Sequence, residues 1–212
     1  MRASTIHMGN RLSSEGSMST VKSKKLQVGT DATSSNNFTI YQPSTPDGTL
    51  RIGVGNADSP TEIGRFDSNG YVATNAPAFS AHNGGNQSIT ANTDTKVAFP
   101  SEDFDTDSCF DTSTYIFTPN VAGYYQLNCT LYQSGASGAY WYMRYYKNGS
   151  FWVEGFRRTQ TGQSAHSSST LVYANGTTDN FQVNVYSSGS GLSLGASNAG
   201  FMRFSGFLVK AV

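Results

Sequence analysis

Five carboxylates crowd into ten residues at Glu102, Asp103, Asp105, Asp107 and Asp111. Like charges at that density repel unless water or a cation neutralises them, and oxygen-rich loops hold calcium. Asp103, Asp105 and Asp107 are therefore the candidate calcium ligands, with a solvated acidic loop as the alternative. The EF-hand spacing, with its central Gly and closing Glu, is absent. The histidines, His7, His82 and His166, include no pair at metal-ligand spacing. Ser164-Ala165-His166 lacks a nucleophile elbow, and no catalytic constellation is found. Gly53-Val54-Gly55-Asn56-Ala57-Asp58 has the look of a phosphate loop. No helical pattern follows it to supply a positive N-terminus, so it reads as a turn. Polysaccharide cleavage needs paired carboxylates in a groove, and Glu154 and Asp179 stand alone in the sequence. The expectation is a non-enzyme with no cofactor beyond the candidate calcium.

A second cluster is aromatic. Tyr140, Trp141, Tyr142, Tyr145, Tyr146, Phe151, Trp152 and Phe156 fall within one short stretch. Alternation cannot bury all of them on one face. One reading assigns them to a core and a subunit interface. The other leaves some exposed as a platform that stacks on sugar rings or a receptor surface, since exposed apolar patches mark binding sites. Arg157-Arg158 would complement an anionic glycan. The receptor or glycan candidates are Tyr140, Trp141, Tyr142, Trp152, Arg157 and Arg158. The two cysteines, Cys109 and Cys129, are too few for a disulfide scaffold. Cys129 falls on an apolar strand face and reads as a buried thiol; whether the two pair is open from sequence.

The elements that must position these groups are strands. Of 212 residues, 37% are hydrophobic and only 13% charged, with 22 Gly, 12 Tyr and 13 Phe. This aromatic content argues against disorder, and the Ser, Thr, Gly and Asn enrichment suits short strands joined by polar turns. Gly123–Tyr132 alternates Tyr125, Leu127, Cys129 and Leu131 against Tyr124, Gln126, Asn128 and Thr130. Asn180–Tyr186 alternates in the same way, and such a period marks a strand with one buried face. Further strands are expected at Phe79–Ala81, Lys96–Phe99, Tyr115–Thr118, Ala139–Lys147, Phe151–Arg157, Ser167–Tyr173 and Phe204–Val209. Asn148-Gly149 between aromatic runs predicts a two-residue hairpin. No helical period of useful length appears.

Upstream, residues 36–75 hold the shorter strand-like pieces Phe38–Tyr41, Thr49–Val54 and Glu62–Phe66, punctuated by Pro, Gly and Asn. Some forty residues with so few apolar groups bury no self-sufficient core, so this zone should gain stability from a neighbouring chain or particle. Residues 1–35 read as a polar tail. Equal numbers of acidic and basic residues, 14 each, conceal an uneven distribution. Arg2, Arg11, Lys22, Lys24 and Lys25 against Glu15 give the first 25 residues a charge of +4, leaving −4 on the rest. A terminal charge block is either a solvated tail or a docking segment, with Lys22, Lys24 and Lys25 as the candidate anchor to a larger particle. No apolar run reaches membrane-spanning length, so no membrane insertion is expected. The first 17 residues lack the apolar stretch of a signal peptide. Met18 opens a cleaner start, which makes residues 1–17 either a leader or a tail. A nucleic-acid binder would be basic overall, and this chain is not.

Several pieces recur in a recognisable order: Pro77-Ala78-Phe79-Ser80-Ala81, then Lys96-Val97-Ala98-Phe99, then Phe110-Asp111-Thr112-Ser113-Thr114-Tyr115-Ile116-Phe117-Thr118-Pro119. Ala122-Gly123-Tyr124-Tyr125, Lys147-Asn148-Gly149 and Phe204-Ser205-Gly206-Phe207-Leu208 follow. Residues 76–212 thereby resemble the C1q/TNF-like jelly rolls. The departures are one extra residue before Gly123 and a longer turn at 176–181. The resemblance implies an all-β, ten-stranded antiparallel jelly-roll sandwich that forms a homotrimer. The run Lys22–Val28 with Phe38–Tyr41, Gly48–Asn56 and Gly64–Phe66 resembles the start of virion structural proteins of marine tailed phages, cyanophages included. That resemblance implies a short attachment segment ahead of an exchangeable head. It places the protein in the virion, made in the host cytoplasm, with other virion proteins and a host-surface receptor or glycan as partners. The leading expectation is a trimeric fibre for host recognition. The alternative is a trimeric capsid decoration protein.

Overall fold

The computed structural model describes residues 24–68, 70–73, 76–135, 138–159, 162–195 and 201–212, without the side chains of 71–73. Contacts divide the chain into two units, Met1–Val72 and Ala73–Val212.

The first unit is an antiparallel meander of five strands: β1 (Lys25–Val28), β2 (Phe38–Tyr41), β3 (Leu50–Val54), β4 (Thr61–Asp67) and β5 (Gly70–Ala73). The expected pieces at 38–41, 49–54 and 62–66 are all present. β1 lies inside the stretch expected to be a polar tail. It is a strand because Leu26 and Val28 register against Ile40 and Phe38 of β2, pairs of the kind that stabilise sheets. Asn37 and Thr39 are fully buried. The Thr39 hydroxyl donates to the Gly55 carbonyl, and the Asn37 amide donates to Asn56. The glycine-rich stretch 53–58 leads from β3 toward β4 and opens no helix.

The second unit is a two-sheet antiparallel jelly-roll sandwich. One sheet has seven strands. Its long members are β12 (Ala122–Ser134), β15 (Ser164–Asn175), β18 (Arg203–Ala211), β6 (Ala78–His82) and β9 (Ser101–Asp105). The short β7 (Gln87–Ser88) and β17 (Ser193–Leu194) complete it. The other has six: β8 (Thr95–Lys96), β10 (Phe110–Asp111), β11 (Ile116–Phe117), β13 (Tyr140–Lys147), β14 (Ser150–Thr159) and β16 (Phe181–Ser187). Among the described residues thirteen segments therefore stand where ten are implied by the resemblance, five of them only two residues long. The piece expected at 96–99 shortens to Thr95–Lys96 for a visible reason. The Gln87 side chain donates to the Lys96 carbonyl and accepts from the Ala98 N–H, taking the place of a strand neighbour.

Alternation along the long strands fills the space between the sheets. Tyr125, Leu127, Leu131, Met143, Tyr145, Phe181, Val185 and Phe204 are at most 1% exposed. Phe79 stacks on Phe117 at 4.4 Å and meets Phe204 edge-on at 5.0 Å, geometries that aromatic quadrupoles favour. Two buried hydroxyls find partners: Tyr125 donates to the Val121 carbonyl at 2.7 Å and Tyr145 to the Ser168 carbonyl at 2.9 Å. Asn148 and Gly149 both have positive φ (52° and 73°), as a primed two-residue hairpin turn requires. Asp179 pins that turn, accepting from the Asn148 amide at 2.9 Å and the Asn175 N–H at 3.0 Å, with Lys147 Nζ at 2.9 Å.

Candidate functional site

The two outer faces of the sandwich are built differently. On the six-stranded sheet, β13 turns Trp141, Met143 and Tyr145 inward and Tyr140, Tyr142, Arg144 and Tyr146 outward. Register completes the outer face. Tyr142 lies between Tyr186 and Arg157, Arg144 between Asn184 and Glu154, and Tyr146 between Gln182 and Phe151. The Arg144 guanidinium is the centre of this face. It lies 5.0 Å from the Tyr142 ring centroid, 5.3 Å from Tyr186 and 5.4 Å from Phe151. Its Nη1 also donates to both Asp94 oxygens, at 2.9 and 2.8 Å. Arg157 covers Tyr142 at 4.5 Å and reaches Glu154 at 3.4 Å. Cation–π contacts of this kind hold rings in fixed orientation. The face offers partly exposed rings and the Arg157 guanidinium, while the Gln182 and Asn184 amides are buried and Gln182 donates to Asn184.

The glycan candidates divide accordingly. Tyr142 and Arg157 are brought together, with Tyr140 exposed at the end of the same face. Trp141 is not a surface residue. It is 1% exposed and packs edge-on against Phe156 at 4.8 Å, with the His166 ring at 5.6 Å. The alternation that exposes Tyr142 drives Trp141 into the core. Trp152 is 38% exposed and sits where β14 slips register against β13. Arg158 registers against Trp141, not Tyr142, and so leaves the outer row. Its charge adds to burial in lowering the His166 pKa. Sequence reasoning missed Arg144, Tyr186 and Asp94. Arg144 alternates with Tyr142 and Tyr146, a signal that was legible; Asp94 and Tyr186 come from distant strands and loops.

On the seven-stranded sheet the outer face has an apolar end and a polar end. At the apolar end Tyr124 meets Tyr173 at 5.7 Å, and Gln126 registers between Leu171 and Phe207. Tyr124, Leu171, Tyr173 and Phe207 are 42–54% exposed. At the polar end Asp103 accepts from Ser80 at 2.9 Å and from Arg203, with His82 Nδ1 at 3.5 Å. Ser80 donates to the carboxylate and not to the histidine, so these groups do not form a nucleophile relay.

Glu102, Asp103 and Asp105 of the acidic stretch lie in a strand, and Asp107 lies in the bend that follows it. β9 is an outer strand of its sheet, and charge on an edge strand resists pairing with another chain. A register slip opposite Ser80 and Ala81 places Asp103 on the outer face. Asp105 instead accepts from the Phe110 N–H at 2.7 Å. Of the candidate calcium ligands, Asp103 thus bonds elsewhere, while the other Asp105 oxygen accepts from the Asp107 N–H at 3.4 Å. Among the described residues no group of three His, Cys, Asp or Glu side chains is placed to hold a metal ion. Asp111 turns back on its own segment. The Ser113 hydroxyl and N–H, with Thr114, hold its carboxyl down at about 2.

Cys109 and Cys129 are both free and buried. Burial pushes both thiols up, Cys129 far above the usual range. Of the anchor candidates, Lys22 lies outside the described residues. Lys24 is exposed, and Lys25 donates to the Ala57 carbonyl at 2.5 Å. Among the described residues no helix is long and apolar enough to cross a membrane.

No protein-family model matches the chain, and no curated protein matches it. Solved structures do resemble it. The globular domain of zebrafish complement 1qA aligns at 17% identity and TM-score 0.47, over 64% of this chain and 99% of its own. Murine APRIL at pH 8.5 aligns at 10% and 0.48, over 63% and 99%. Eiger TNF from S. frugiperda aligns at 9% and 0.47, over 65% and 93%.

Proposed function

We propose that the protein is a non-enzymatic homotrimer of a phage virion, a fibre-like appendage anchored by its N-terminal segment and presenting the second unit to a host-surface receptor or glycan. The observation that carries this reading is the contrast between the two outer faces of the sandwich. The seven-stranded face exposes Tyr124, Leu171, Tyr173 and Phe207 together, the apolar and aromatic character of subunit interfaces. The six-stranded face instead mixes rings with polar donors, as ligand-facing surfaces do. Copies of the chain associate through the first face and leave the second free. The number three comes from the C1q/TNF-like sequence run, and the virion setting from the N-terminal resemblance.

On this reading sugar rings stack on the exposed Tyr140 while Arg157, held over the Tyr142 ring, meets acidic substituents. The test is adsorption of fluorescently labelled full-length protein to a panel of cyanobacterial strains. Tyr142→Ala with Arg157→Ala should abolish adsorption to any strain the parent binds, with the molecular mass unchanged. Adsorption that survives both changes refutes the assignment of the face. A virion reconstruction distinguishes the fibre, with a few copies at the tail, from a capsid decoration protein with hundreds on the shell.

A further inference from the structure

The five-stranded unit is inside out by the usual measure. Strand alternation gives it one polar and one apolar face. Lys25, Tyr41 and Arg51 register in a row on the polar side, as do Gln27, Thr39 and Gly53. That side is covered by its own chain. Thr39 is fully buried, a Cβ on Gly53 would lie 2.9 Å from Pro60 Cβ, and Arg51 pairs with Asp47 and Glu62. The apolar side carries two unbroken cross-strand rows, Leu26–Ile40–Ile52 and Val28–Phe38–Val54. This is the side left open: Leu26 is 56% exposed, Val28 57%, Phe38 47% and Ile40 38%.

We infer that this apolar face packs against the same face of other copies of the chain, giving the N-terminal unit its own subunit interface, an inference that rests on the trimer reading above. Three observations select the occupant. First, the six positions of the two rows hold only Leu, Ile, Val and Phe. A surface without charge or hydrogen-bonding groups offers a foreign partner little specificity, whereas homo-oligomer interfaces are the more apolar class. Second, the exposed side chains leave roughly 400 Å² of apolar surface bare, within the about 300–600 Å² of the largest patch on a soluble monomer, which is often functional. That is less than the ~800 Å² per partner of a standard independent interface, so the face needs help from another contact. Third, the help is covalent. Each sheet is joined to a second unit with its own self-association face, and tethering raises the effective concentration of the linked sheets to about the millimolar range. A modest apolar face then associates without a second recognition event. The fully buried Thr39 and Asn37 on the opposite side fit this arrangement, since the unit uses its own turns to satisfy its polar groups and keeps the apolar ones for its copies.

The test is Phe38→Cys in the full-length chain, with Leu26→Cys as a second variant in case the first fails to fold. The native thiols are buried, so the new cysteine dominates the chemistry. Mild oxidation or a short bismaleimide should join chains in pairs. About two-thirds of the chains should be linked, because a threefold set of single cysteines leaves one unpaired. Light scattering on the same sample measures the assembly. A trimer whose new cysteine stays unlinked overturns this inference and leaves the trimer reading standing. A monomer with an unlinked cysteine overturns both.

Discussion

Trp141 separates a core residue from a surface residue most sharply, because Trp152 is the only other tryptophan and lies on the neighbouring strand. Replacing Trp141 by Ala removes an indole that is 1% exposed and packed edge-on against Phe156 at 4.8 Å. Burying such a ring removes ~200 Å² from water, and at about 25 cal/mol per Å² this corresponds to about 5 kcal/mol. Measured Trp→Ala changes in cores run at about 3–5 kcal/mol, so a loss of about 4 kcal/mol is expected. Trp152, 38% exposed, buries roughly 120 Å² on the same reckoning and should cost less, at most about 3 kcal/mol. Urea unfolding followed by circular dichroism measures both. The same pair gives an optical check. In Trp152→Phe the remaining emission comes from Trp141 and should be blue-shifted and resistant to acrylamide. In Trp141→Phe the remaining emission comes from Trp152 and should be red-shifted and readily quenched. Equal quenching of the two, or a Trp141→Ala loss near that of Trp152→Ala, would refute the inward assignment of alternate β13 residues. The assignment of Tyr142 and Arg144 to the outer face would fall with it.

Three further outcomes are expected. Arg144→Lys keeps the charge but loses the planar contact of the guanidinium with three rings, costing about 1 kcal/mol in urea unfolding; no change would mean that the cluster is loosely held. Burial pushes the Asp179 carboxyl up, but bonds from Asn148, Lys147 and Asn175 outweigh it and hold its pKa below the ordinary value. Its contribution is therefore complete above the unfolded carboxylate pKa of about 3.9 and lost as pH falls through the lower folded value, and Asp179→Asn should flatten that part of the acid-unfolding curve. Cys109 and Cys129 should be silent to a thiol reagent in the native protein and titrate as two thiols per chain after denaturation, with intact mass unchanged by reductant.

β12 was legible because one of its faces is buried and the other is not. Tyr125, Leu127, Cys129 and Leu131 alternate with polar neighbours, and the sheet follows. β13 was legible as a strand but not in its facing, since aromatics occupy both sides. Only packing decides that Trp141 goes in and Tyr142 stays out. β9 was hidden because Ser101-Glu102-Asp103-Phe104-Asp105 has no apolar period. An exposed edge strand needs none, and its pairing with β6 is set by backbone hydrogen bonds and by the Arg203 and Ser80 contacts of Asp103. β1 was hidden for a related reason. Leu26 and Val28 are two apolar residues in a charged neighbourhood, and their partners Ile40 and Phe38 lie across a turn. Arg144 was within reach of the alternation argument, but its partner Asp94 is fifty positions away in sequence, a distance no local pattern spans.

Self-association through the Tyr124, Leu171, Tyr173 and Phe207 face is the claim on which the functional account depends. Its most direct test is the solution mass of the full-length chain by light scattering, for the parent and for Tyr124→Glu with Phe207→Glu. Both positions are outward and half-exposed, so the fold should survive, as circular dichroism would verify. The account predicts about 68 kDa for the parent, three chains of 22.8 kDa in a closed cyclic assembly, and a dissociated chain for the double variant. A parent that runs as a 22.8 kDa monomer, or a trimer indifferent to both glutamates, would contradict it.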